Sequence, residues 1–201
     1  MTQPGYDALA DLYAETFPDP YAFPIERHAA AAFAEAAAGR PGRTVDVGCG
    51  LGHVAADLAG RGLDVLGVDP SPAMLGHARR LHPELPFVDG DASLAALPDG
   101  PIAAILARFS LIHVEPAAVR AAVRDWSGRV GAGTPVLVAF QAADEPGPPL
   151  AFDHVVAPAW RWHPDEFARL LAEAGFTESW RIVHREKDYR FPMAHLLAVR
   201  G

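Results

Sequence analysis

Val45-Asp46-Val47-Gly48-Cys49-Gly50-Leu51-Gly52 sets three glycines at alternate positions directly after a short β-branched run. Residues 44–47 form the strand candidate, and residues 51–59 read as a helix closed by Gly60 and Gly62. Glycines at such a turn let the backbone pass close beneath a ligand with no Cβ in the way. Alone, the pattern is also that of a tight strand-to-helix turn bound to nothing.

Two further strand ends sharpen the reading. Residues 64–68 are the next strand, and Asp69 follows it, 21 residues on from Gly48. A carboxylate there can accept hydrogen bonds from both hydroxyls of a ribose. Residues 86–88 are a third strand, followed by Gly90-Asp91-Ala92, where a carboxylate and a backbone amide can read an adenine edge. Three nucleoside-sized contacts thus fall at consecutive strand ends, on one rim of a sheet.

The rest of the chain continues the alternation. Residues 25–38 carry Ile25, Ala29, Phe33 and Ala36 on one helical stripe. Ser71-Pro72 supplies an N-cap and a first-turn proline for a helix bearing Met74, Ala78 and Leu81. Residues 102–107 and 135–140 are strands apolar throughout, as for strands buried on both sheet faces. Residues 116–130 and 164–174 are helices. Residues 141–163 are rich in proline and aromatics and show no period. Residues 177–185 and 195–200 close the sequence as a strand pair. The expectation is an α/β fold, a doubly wound and mostly parallel seven-stranded sheet with a C-terminal antiparallel hairpin and helices on both faces.

Composition narrows the function. A length of 201 residues suits one domain, and a hydrophobic share of 50% suits a globule with a real core. A net charge of −8 with no basic stripe argues against nucleic acid and against an anionic membrane surface. Cys49 stands alone, so no internal disulfide and no thiolate zinc cluster is expected, and no metal site is predicted. Residues 1–7 lack the features of a secretion signal, and no apolar run reaches a membrane span, so a cytoplasmic location is expected.

With these motifs in hand, the chain resembles the class I S-adenosylmethionine-dependent methyltransferases from about Tyr6 onward. The resemblance is most specific at 46–52, at Asp69 with Ser71, Met74 and Leu75, and at Gly90-Asp91-Ala92. It implies S-adenosylmethionine as cofactor and S-adenosylhomocysteine as product. It places Gly48, Gly50 and Gly52 around the methionine half and has Asp46 orient that loop. Asp69 holds the ribose, Met74 lies against the adenine, and Asp91 and Ala92 bind its edge. Cys49, Pro70, Arg108 and Ser110 join this set, and 110–113 runs beside the methyl donor. Residues 1–40 form a helical lid with Tyr6 and Tyr13, 41–140 the cofactor core, 141–163 a substrate-side segment, and 164–201 the closing helix and hairpin. One departure is Pro101-Ile102-Ala103-Ala104, where relatives usually carry an acidic residue early in the fourth strand. A nicotinamide dehydrogenase is the rival, but it needs Gly or Ala where this chain has His53.

A sulfonium methyl is already activated, so its transfer mainly needs alignment and exclusion of water, and a base only for a poor nucleophile. His113 and His154 are the candidates for that chemistry: base or substrate orienter against turn histidine for the first, substrate contact against exposed loop histidine for the second. Arg108 either binds an acidic substrate or pairs with a nearby carboxylate, and Trp160 and Trp162 line a pocket or pin their segment. A chain this short, with Arg108-Phe109-Ser110-Leu111 in place of an Asn/Asp-Pro-Pro-aromatic motif, suits a small-molecule acceptor, a secondary metabolite among the options. The alternative is a relative that binds the cofactor for cyclisation or elimination, or purely as a binding protein.

Overall fold

The computed structural model describes residues 5–201; the first four residues of the N-terminal stretch read above lie outside them. Two helices, α1 (Gly5–Thr16) and α2 (Pro24–Ala37), precede the first strand, β1 (Arg43–Val47). Then come α3 (His53–Gly60), β2 (Val65–Asp69), α4 (Pro72–Leu81), β3 (Phe87–Asp89), β4 (Ile102–Arg108), a single 3-10 turn (Leu111–His113) and α5 (Pro116–Arg129). The order closes with β5 (Pro135–Gln141), β6 (Leu150–Phe152), β7 (Ala159–Arg161), α6 (Pro164–Glu173), β8 (Phe176–His184) and β9 (Met193–Arg200).

Seven strands form one sheet in the order β3-β2-β1-β4-β5-β9-β8. The first five run parallel, while β9 pairs antiparallel with both β5 and β8. Strand order reverses at β1, so β1 and β4 flank the switch point where ligands of such sheets bind. Apolar strands β4 and β5 sit at the centre because both sheet faces are covered. On one face Phe33, Ala34 and Ala37 of α2 join Ala55, Leu58, Leu75 and Ala78 of α3 and α4. On the other, Val119, Val123 and Trp126 of α5 meet Phe167, Leu170 and Leu171 of α6.

The local signals act as their chemistry dictates. Ser71 Oγ accepts from the Met74 amide at 3.2 Å, capping α4 ahead of Pro72. His163 caps α6 through Nδ1, which accepts from the Asp165 amide at 3.3 Å. The aperiodic 141–163 segment differs from expectation: it contains the antiparallel pair β6–β7, with Leu150 opposite Arg161 and Phe152 opposite Ala159. Strands of three residues are too short to display a period. Trp162, 1% exposed, pins the segment, and its backbone bonds Gln141 and Ala143 on the way out of β5. Among the described residues no helix is long and apolar enough to cross a membrane.

Candidate cofactor site

The carboxyl ends of β1, β2 and β3 lie side by side. The Gly48 and Cys49 amides both donate to the Val68 carbonyl, at 2.7 and 3.0 Å, which ties the glycine loop to β2. Gly48 has φ +69°, and a Cβ there would stand 2.2 Å from Ser110 Cβ. Ser110 is held by its hydroxyl, which donates to the Val47 carbonyl at 2.6 Å. It is brought there by Phe109, whose φ of 52° turns the chain sharply at the end of β4. Gly50 differs. Its φ is +53°, and a Cβ there would meet nothing within 4 Å. Gly48 is therefore closed by packing, and Gly50 presents an open backbone surface. Cys49 turns its thiol inward against Gly67, where burial raises its pKa. Its contribution to the loop is backbone.

Asp69 closes the loop from the other side. Its two carboxylate oxygens accept from the Gly50 amide at 2.8 Å and the Ser71 amide at 2.9 Å. Burial raises its pKa, while those two amides pull it down. Each oxygen retains a lone pair for a ligand hydroxyl. Pro70, beside it, is exposed at the rim. Asp91 is exposed, and its carboxylate accepts from the Ser93 amide (2.9 Å) and hydroxyl (2.5 Å), which holds its pKa down. Ala92 is fixed from below: its carbonyl accepts from Trp126 Nε1 at 2.7 Å.

Asp46 is buried, and its Oδ2 has no hydrogen-bond partner. Desolvation pushes its pKa to about 7 against the pull of Arg108, with Asp69 adding to the rise. An unpaired carboxylate beside an open glycine loop suits a cationic group such as the ammonium of a methionine moiety. The sign of its pH effect follows. A carboxyl whose folded pKa lies above its unfolded value takes stability from the fold as pH climbs from about 4 to about 7. Asp46→Asn is expected to raise the ligand-free melting temperature at pH 8 by on the order of 5 °C, with the gap closing near pH 4. Thermal melts across that range check it.

Helix α1 lies across the site. Asp7 accepts from the Ser71 hydroxyl at 2.6 Å and the Ala73 amide at 3.0 Å, and His77 bonds Asp11 at 2.8 Å. Beneath it, Ala10 packs with Leu51 and Met74, flanked by Tyr6 and Tyr13. Met74 is 1% exposed, so here it lies under α1 in a packed contact. His113 joins this arrangement: Nε2 sits 2.9 Å from the Tyr6 hydroxyl, and Nδ1 sits 3.0 Å from the Pro158 carbonyl. The His154 ring meets it edge-on at 4.7 Å. Burial and the His154 neighbour lower the His113 pKa to about 4, against the Pro158 carbonyl. Burial also lowers that of His154. The two histidines read from sequence thus come together with Tyr6, and both nitrogens of His113 are engaged.

Arg108 resolves to a carboxylate partner. Its guanidinium lies 3.3 Å from Glu26 of α2, donates to the Pro20 carbonyl at 3.2 Å and stacks over Tyr21 at 5.0 Å. The sequence reading missed what lies beyond it. His195, fully buried on β9, stacks on His184 at 5.6 Å and meets Phe109 edge-on at 5.9 Å, with no hydrogen-bond partner on either nitrogen. The signal was available: a histidine inside the apolar run Met193-Ala194-His195-Leu196-Leu197. Desolvation, Arg108 and His184 lower its pKa to about 3. A histidine neutral in the fold but titrating near 6.5 when unfolded takes stability away as pH falls below 6.5. His195→Phe is expected to cut the stability lost between pH 6.5 and 4.5 by about 2 kcal/mol, measured by urea unfolding at each pH.

The chain is similar to known proteins in sequence and in fold. A family profile described as a methyltransferase domain matches residues 44–133. The chain is 40% identical to the demethylmenaquinone methyltransferase of Beutenbergia cavernae over 84 residues, 41% of this chain and 35% of that protein. The match therefore spans about a third of that relative's length. Among solved structures, the magnesium protoporphyrin IX methyltransferase of Synechocystis with bound S-adenosylhomocysteine superposes with a TM-score of 0.73 at 18% identity, over 98% of this chain and 96% of that one. The 1,6-didemethyltoxoflavin-N1-methyltransferase of Burkholderia thailandensis gives 0.70 at 20% identity, covering 96% and 87%. The matched segment contains the glycine loop and Asp69 and is similar to methyltransferase domains, and the solved methyltransferase structures share the fold of the chain.

Proposed function

We propose that this protein transfers a methyl group from S-adenosylmethionine to a small planar acceptor. The observation that carries the reading is the open Gly50 backbone between an unpaired Asp46 carboxylate and the Asp69 rim. When bound, the cofactor supplies a methyl on positively charged sulfur that a nucleophile displaces. Asp69 would hold the ribose hydroxyls, Asp46 the ammonium, and Asp91 with Ala92 the adenine edge. Helix α1, anchored through Asp7 and Tyr6, excludes water, which is most of what this chemistry requires.

His113 is a weak candidate for the base, because its lone pair is taken by Tyr6 and its pKa has fallen to about 4. His154 faces it from the β6–β7 segment and would contact the acceptor. Relatives named for menaquinone, porphyrin and toxoflavin substrates support a planar ring acceptor. So do the rings of Phe23, Phe109, His184 and Tyr189 near the same rim.

The test is product analysis. Purified protein, S-adenosylmethionine and a bacterial metabolite extract should yield S-adenosylhomocysteine in step with one methylated product. Binding without any S-adenosylhomocysteine across extracts would favour the non-transferring alternative.

A further inference from the structure

Helix α5 grips the turn after β3 with two side chains. Trp126, fully buried, donates through Nε1 to the Ala92 carbonyl at 2.7 Å, and the Arg129 guanidinium donates to the Leu94 carbonyl. Between these anchors the turn is strained. Leu94 is fully buried with φ +61°, a left-handed conformation that a branched side chain rarely adopts and that persists only where its surroundings hold it. Its amide donates to the Asp91 carbonyl at 3.2 Å.

These bonds fix two successive peptides. The peptide joining Ala92 to Ser93 is held at its carbonyl by Trp126 and at its amide by Asp91 Oδ1, 2.9 Å away. The peptide joining Asp91 to Ala92 is held at its carbonyl, which faces Leu94 inside the turn. In a trans peptide the N–H points opposite to the carbonyl, so the Ala92 amide is directed out of the turn. Among the described residues nothing accepts from it. The Ser93 amide and hydroxyl both bond Asp91 Oδ1, which leaves Oδ2 for another donor. A fixed donor thus stands beside a fixed acceptor.

We propose that Trp126 and Arg129 are positioning residues that set the base preference of the site. They hold this pair in the register of an adenine edge, whose amino group donates and whose N1 accepts. The proposal rests on the methyltransferase reading above, in which Asp91 and Ala92 meet that edge. Hypoxanthine reverses both roles, with a carbonyl oxygen in place of the amino group and a proton on N1. A rigid pair rejects it at both atoms, because acceptor then faces acceptor and donor faces donor. A slack pair turns to suit either base. Trp126, sealed in the core, acts through the backbone alone.

Calorimetry with S-adenosylhomocysteine and its deaminated analogue, S-inosylhomocysteine, reads that preference. Wild type is expected to favour the adenine ligand by on the order of 100-fold. Trp126→Phe keeps a ring and removes the donor. It should weaken the adenine ligand roughly tenfold and change the hypoxanthine ligand less than about twofold, so the preference falls with the first. Arg129→Met, at a half-buried position, should act in the same direction. Arg129→Lys, which still carries a donor, should restore part of the preference. Thermal melting confirms that each variant is folded, and Arg129→Met decides alone if Trp126→Phe fails to fold. An unchanged preference in folded variants, whether both affinities fall together or neither does, overturns the proposal and leaves α5 a structural support. Wild type that binds both ligands alike also overturns it, by showing that this turn does not read the base, while the methyltransferase reading stands. Wild type that binds neither overturns both.

Discussion

Replacing Arg108 with alanine is expected to destabilise the protein by roughly 3–5 kcal/mol, read as a lowered urea midpoint. Arg108 and Glu26 are 10% and 4% exposed at their side chains, so their attraction is little screened. Removing the guanidinium leaves the Glu26 carboxylate buried with only the Ala22 and Phe23 amides, at 2.9 and 3.3 Å, to satisfy it. It also strips the Asp46 carboxylate of its one favourable charge. Converting both partners, Arg108→Met with Glu26→Gln, should recover the share of the loss that comes from Glu26, because that carboxylate is then no longer left charged and unpaired, while the share from Asp46 persists. A single variant within about 1 kcal/mol of wild type would show that the pair does not hold α2 to the sheet.

Asp69→Ala should weaken S-adenosylhomocysteine binding by roughly 2–4 kcal/mol, a loss of about 30- to 1000-fold by calorimetry. From sequence alone this carboxylate reads as a ligand contact outside the core. The structure adds a second cost. Asp69 is 7% exposed and accepts from the Gly50 and Ser71 amides, so its removal orphans two donors and should lower ligand-free stability by about 1–3 kcal/mol. Asp69→Asn, with one accepting oxygen, is expected to fall between. Unchanged affinity in a folded Asp69→Ala protein would falsify the placement of the ribose at β2.

These effects show where the sequence was legible. The glycine loop, Asp69 and the apolar strands β4 and β5 could be read because each rests on local chemistry: positive φ, a strand-end carboxylate, burial on two faces. Arg108 was legible only as a choice. Its partner lies on α2, 82 positions earlier (108 − 26), and no local pattern joins them. The β6–β7 pair escaped notice for want of length. His113 was read as a histidine just beyond the fourth strand, yet its contacts come from Tyr6 on one side and Pro158 on the other. Non-local pairings decide such residues.

The placement of β9 between β5 and β8 has a consequence for how the chain is made. During synthesis β8 emerges before the strand it must bond, so it has no neighbour to join until β9 follows. Meanwhile β5 presents an open edge along all seven of the positions it later pairs, Pro135 to Gln141. That edge is apolar and β-prone, the kind of surface that recruits other unfinished chains. The nascent protein is therefore most vulnerable after β1 to β5 are complete and before the final strand slides into the gap. Slow translation across 185–192 would prolong that exposure, and an early-bound cofactor would not shorten it.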